Sequence, residues 1–194
     1  MDDQVKEIFG AVIAAIGTIL SAIASIPSET TRIIDLYKDF DIVGNTLQAM
    51  GNALEAEGQS TPSLEKLGNE IQAIGNSTVL AGLVWNVDEV SEEKLVITGN
   101  WIQALGGAVA LGDEFNDPTA AGQIYNIYGN LLQSIGNSLQ AIGGSINLKE
   151  KRISKEPASS GDTIIFAGSW IQAVGSVLSV IGQVKEERQE EKLQ

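Results

Sequence analysis

GNLLQSIGNSLQAIGG, residues Gly129–Gly144, decides how the whole chain is read. Leu132, Ile135, Leu139 and Ile142 fall three and four apart, the period of a helix, whereas a strand would alternate by two. Yet Gly129, Gly136 and Gly143 interrupt that helix at a spacing of seven. Each mid-helix glycine costs roughly 0.8–1 kcal/mol relative to alanine, so close packing is expected to return what the helix loses. A glycine stripe lets two backbones approach, gaining dispersion contact and Cα–H to carbonyl contacts.

The phrase has siblings. They are GNTLQAMGNALEAEG from Gly44, GNEIQAIGNSTVLAG from Gly68, GNWIQALGGAVALG from Gly99 and GSWIQAVGSVLSVIG from Gly168. A sixth, amide-free copy, GAVIAAIGTILSAIA from Gly10, lies inside the uncharged stretch Ile8–Ile26. The copies start about 24 to 39 residues apart, within the range of architectures built from one repeated unit. That irregular interval favours duplicated helices packed as a bundle over a strict solenoid.

On a wheel of about 100° per residue, each copy divides into an aliphatic face, a stripe of Asn and Gln, and small residues along both seams. The glycines expected to pack helices are Gly10, Gly17, Gly44, Gly51, Gly68, Gly75, Gly99, Gly106, Gly129, Gly136, Gly168 and Gly175. The aliphatic face is expected to form the core, with Trp101 and Trp170 on its edge and Tyr125 and Tyr128 flanking it. The candidate interaction face is Asn45, Gln48, Asn69, Gln72, Asn100, Gln103, Asn130, Gln133, Asn137, Gln140 and Gln172. It is expected outermost, in water; the alternative is that it meets another protein surface, within the fold or in another copy, where amides both donate and accept.

Thr61-Pro62, Asp117-Pro118 and Ser160-Gly161-Asp162 offer helix-start signals. The expectation is an all-α protein, a single bundle of about six long helices over residues 1–194, at roughly 3–26, 29–57, 62–82, 90–112, 118–146 and 162–190. The amide-free first helix is expected at the centre, surrounded by the others. Residues 184–194 read as a solvated helical extension.

Composition narrows the function. With no Cys and no His, the chain has no thiol nucleophile, disulfide, imidazole base or common zinc site. Twelve Lys and Arg against 25 Asp and Glu give a net charge of −13, which disfavours nucleic acid as a partner. The acidic start MDDQVKE lacks the positive region of a secretory signal. No G-x-x-x-x-G-K-[ST] loop is present, and the glycines recur inside helices instead of opening one. Carboxylates at Asp35, Asp39, Asp41, Glu55, Glu57, Asp88, Glu89, Glu92, Glu93, Asp113, Glu114 and Asp117 sit near helix ends without the spacing of a calcium loop. Solvated charge is their expected role.

The phrases GNTLQAMGNALEAEGQ (Gly44–Gln59) and GNWIQALGG (Gly99–Gly107) resemble a family of repetitive proteins of Bacillus-type bacteria, in which such units run through almost the whole chain. The resemblance implies a bacterial origin and no known activity, cofactor or site residue. The reading is therefore a non-enzymatic structural or self-associating protein, cytoplasmic, with a homo-oligomer as its possible partner and no cofactor or small-molecule substrate. The alternative is a membrane-active or membrane-associated protein inserting residues 8–26, which are long enough to span a bilayer.

Overall fold

The computed structural model describes residues 3–28, 30–114, 122–154 and 159–190. Among these, six helices and no strand are found: α1 (Asp3–Ala24), α2 (Thr31–Gly58), α3 (Leu64–Val84), α4 (Glu89–Glu114), α5 (Gln123–Ser154) and α6 (Asp162–Glu190). The protein is an all-α bundle, as the period of its aliphatic residues predicts.

The helix ends follow local chemistry. Ser63, two residues beyond the expected Thr61, caps α3 by accepting from the Lys66 N–H at 2.8 Å. Asp88 starts α4, taking the Ser91 N–H at 3.1 Å and its hydroxyl at 2.6 Å. These two bonds hold the Asp88 carboxyl below its usual range. The expected starts at residue 29 and at Asp117-Pro118 lie outside the described residues. α5 runs to Ser154, eight residues past its expected end, because Asn147–Ser154 includes good helix formers such as Leu, Lys and Glu. Lys151 then clamps this last turn to α4 through Glu89, at 2.6 Å, and Glu93; those bonds raise its pKa. The tail is helical to Glu190.

Short connections make chain neighbours antiparallel, giving three hairpins: α1–α2, α3–α4 and α5–α6. Each hairpin also meets the next, and α6 returns to α1. No two helices that are non-adjacent in this order approach closely along their backbones, so the six form a closed ring. The expectation of a central α1 is corrected: α1 is one stave between α2 and α6, and its Phe9 and Ile16 are about half exposed.

Within every hairpin the repeat glycines face each other. A Cβ built on Gly17 would lie 2.5 Å from the Gly44 carbonyl oxygen, and one on Gly44 would lie 2.7 Å from that of Gly17. The same reciprocity joins Gly10 to Gly51, Gly68 to Gly106, Gly75 to Gly99, Gly129 to Gly175 and Gly136 to Gly168, at 2.5–3.0 Å. All twelve expected packing glycines are used, each against a backbone carbonyl that a side chain would displace. This contact explains why helices so rich in glycine form at all: the packed hairpin supplies what propensity withholds.

Candidate functional site

Gly pairing fixes the register of each hairpin, and the register stacks the inward residues in three layers. Thr18, Asn45, Asn76, Asn100, Asn137 and Ser169 form the first. Ala14, Gln48, Gln72, Gln103, Gln133 and Gln172 form the second. Ala11, Asn52, Asn69, Gly107, Asn130 and Ser176 form the third. Every one of these eighteen positions is buried, and each layer takes one residue from every helix. The three layers are thus made of neutral amides, hydroxyls and small side chains.

Ten of the eleven candidate amides are buried, and Gln140 is half-buried. The expectation of a water-facing amide stripe is therefore overturned in favour of its alternative, a face turned to protein within the fold. The aliphatic face moves the opposite way. Ile135 is 42% exposed, Val174 53% and Leu105 56%, and Trp101, Trp170 and Tyr128 are exposed too, so these expected core residues line the outside, while Leu132 and Leu139 are half-buried against Gly175 and Gly168. Only Tyr125 is sheltered among the named aromatics, with the Lys185 ammonium 4.0 Å over its ring. The physical reason is the glycine seam. Amides flank the glycine on one side and aliphatic residues on the other, so when the glycines pair and the ring closes one stripe turns inward and the other outward.

The amides hold one another across the ring. Gln140 donates to Gln172 at 2.8 Å, Gln172 to Gln48 at 2.9 Å and to Gln103 at 3.4 Å, and Gln48 to the Ser21 hydroxyl at 3.2 Å. Gln48, Gln103 and Gln172 occupy one repeat position on α2, α4 and α6, so the second helix of each hairpin sends a glutamine to a common meeting point. Gln133 donates to Ser179 at 2.9 Å. Asn76 Oδ1, Asn126 Nδ2 and Asn137 Nδ2 are buried without a partner among the described residues. Such polar capacity is costly when left unmet.

The glutamine layer separates two cavities. The larger, about 410 Å³, opens where α1, α3 and α5 end and α2, α4 and α6 begin. Gln48, Gln103 and Gln172 form its floor, Asn45, Asn100 and Ser169 its lower wall. The smaller, about 20 Å³, lies beyond, among Ala14, Gln72, Asn69, Asn130 and Gln133. Its volume suits about one water molecule.

The carboxylates divide by position. Asp35 and Asp39 are exposed, Asp41 lines the larger cavity and accepts from Asn45 at 2.9 Å, and Glu55 lines the smaller. Glu92 pairs loosely with Lys38 at 3.9 Å. The side chains of Asp113 and Glu114, and Asp117 altogether, lie outside the described residues. No group of three or more His, Cys, Asp or Glu able to hold a metal occurs among the described residues. Asn52, Asn76, Asn126 and Gln183 are interior amides missing from the candidate face. Asn52 and Asn76 could have been found, since each follows the second glycine of its copy as Asn137 does.

Ring and lining together define a six-helix bundle with an amide interior and an aliphatic exterior. The chain belongs to the family of unknown function DUF6944, whose model matches residues 5–180. Neither the curated proteins nor the solved structures give a match.

Proposed function

We propose that the protein is a membrane-embedded helical ring with no enzymatic role, its aliphatic exterior in lipid and its amides sheltered inside. The observation that carries this is the inverted burial: amides inward and large aliphatic side chains outward on the same helices. In water such an exterior would expose many large apolar side chains, whereas monomeric soluble proteins rarely expose large apolar patches. In a bilayer it is the solvent-facing surface, and buried Asn, Gln, Ser and Thr join helices by hydrogen bonds.

Dimensions agree. Residues 95–112 of α4 and 163–184 of α6 carry no charge, and at 1.5 Å per residue they rise about 27 and about 33 Å, against a hydrocarbon core of about 30 Å. Three helices, over Asp3–Ala24, Glu89–Gly112 and Asp162–Glu186, are long and apolar enough to cross a membrane. α5 is uncharged over residues 123–148 as well, and its lower hydropathy comes from amides that face the interior. Insertion then extends beyond residues 8–26 to α4 and α6.

Carbonate washing of expressing cells followed by vesicle flotation tests the reading. The full-length chain is expected to stay in the pellet and to float, and Ile135→Lys combined with Val174→Lys is expected to release much of it. A carbonate-soluble chain that forms a discrete oligomer without detergent would overturn the proposal and assign the aliphatic exterior to contacts between copies.

A further inference from the structure

The three hairpins place equivalent side chains around the larger cavity, but they do not use them equally. On α2, Asn45 donates to the Asp41 carboxylate at 2.9 Å, and Gln48 both donates to Ser21 and accepts from Gln172. On α6, the Ser169 hydroxyl donates to the Ile165 carbonyl at 3.0 Å, and Gln172 is bonded through both ends of its amide. On α4 the matching pair is Asn100 and Gln103. Among the described residues Asn100 has no side-chain partner, and Gln103 only accepts, from Gln172 at 3.4 Å. Both line the cavity, and both are more than nine-tenths buried, at 8% and 2% exposure.

One turn of α4 therefore offers the cavity a free acceptor and a free donor on Asn100 and a free donor on Gln103. These unmet groups face the open cavity, where a ligand's hydroxyls can meet them. We propose that the cavity is a binding site for a small neutral polyol of the sugar class, seated on Asn100 and Gln103. A hydroxyl both donates and accepts, so adjacent hydroxyls match the mixed edge of Asn100 and the donor of Gln103. Val79, Ile97 and Ile165 also line the cavity and give it an apolar surface for the ligand's C–H face. A volume of about 410 Å³ falls within the usual range of small-molecule sites. The Lys38 ammonium at the mouth is paired with Glu92, and the Asp41 carboxylate, bonded to the neutral Asn45 amide, keeps its charge, which disfavours an anionic ligand. This site exists whether the exterior of the ring meets lipid or protein.

The test is nitrogen-15 NMR of the side-chain NH2 groups of the full-length wild-type chain, titrated with glucose and myo-inositol, with glucuronate as the charged counterpart. Saturable shifts of the Asn100 and Gln103 resonances are expected with at least one neutral probe, and at least tenfold weaker binding of glucuronate. Asn100→Leu is expected to weaken binding at least tenfold at unchanged helicity; should that variant lose helicity, Gln103→Met decides. Absence of any wild-type shift with both neutral probes, equal binding of glucuronate, or undiminished binding in a folded variant would each overturn the proposal.

Discussion

Two kinds of seam hold the ring together, and adjacent residues of α4 show the difference. Gly106 lies in the hairpin seam, where an added Cβ would come within 2.6 Å of the Gly68 carbonyl oxygen. Gly107, its neighbour, faces the next hairpin, where the Asn130 carbonyl oxygen would be 3.1 Å away and the Ser134 Cβ 3.3 Å. Between hairpins, contact also runs through side chains: the Ser134 hydroxyl donates to the Ala104 carbonyl at 2.8 Å, and Gly144 meets the Ile97 side chain. At the hairpin seam the backbones are too close for a Cβ to fit, whereas between hairpins a shift of a few tenths of an ångström would admit one. The hairpins are thus the rigid units and the seams between them the adjustable ones.

Substitutions can break this contrast, and thermal melting followed by circular dichroism would read them. Gly136→Leu should be the most damaging, because even a Cβ there would lie 2.6 Å from the Gly168 carbonyl oxygen and from the Gln172 backbone nitrogen; a loss of about 3 kcal/mol is expected, and unchanged stability would mean that the hairpin seam is not closely packed. Gly106→Ala should cost about 1–2 kcal/mol, its steric clash exceeding the gain of about 1 kcal/mol in helix propensity. Ser134→Ala, removing the hydrogen bond between hairpins, should cost about 1 kcal/mol. Gly107→Ala should fall within about 0.5 kcal/mol of wild type, propensity balancing a slight crowding that the neighbouring hairpin can relieve. Equal effects at Gly106 and Gly107 would abolish the distinction.

The same seams explain what could be read from sequence and what could not. The spacing of Leu132, Ile135, Leu139 and Ile142 gave the helix, and the glycine phrase gave the twelve packing positions. Periodicity, however, reports only the angles between the faces of a helix. It does not say which face turns inward, because that sign depends on what surrounds the molecule. In water Ile135 belongs inside and Gln133 outside; around a ring that buries Gln133 the order inverts. Tyr128 and Ile135 precede the repeat glycines that Asn130 and Asn137 follow, so both stripes flank the contact line and its position alone does not choose between them. The free pair on α4 was not legible, since Asn100 and Asn45 occupy the same repeat position and only the neighbouring Asp41 distinguishes them. The bonds of α2 with α1 and α6 require the closed ring.

Three like hairpins on one chain amount to a trimer whose subunits have been tethered. A linker turns association into an intramolecular event with a high effective concentration, so the ring need not depend on how much protein is present. The larger consequence is evolutionary freedom. In a trimer of separate hairpins every substitution would appear three times around the axis, and an alanine among the central glutamines would empty half of that layer. Tethering lets Ala14 stand alone where five glutamines remain, and it lets one hairpin leave an amide pair unmatched while its siblings keep theirs bonded.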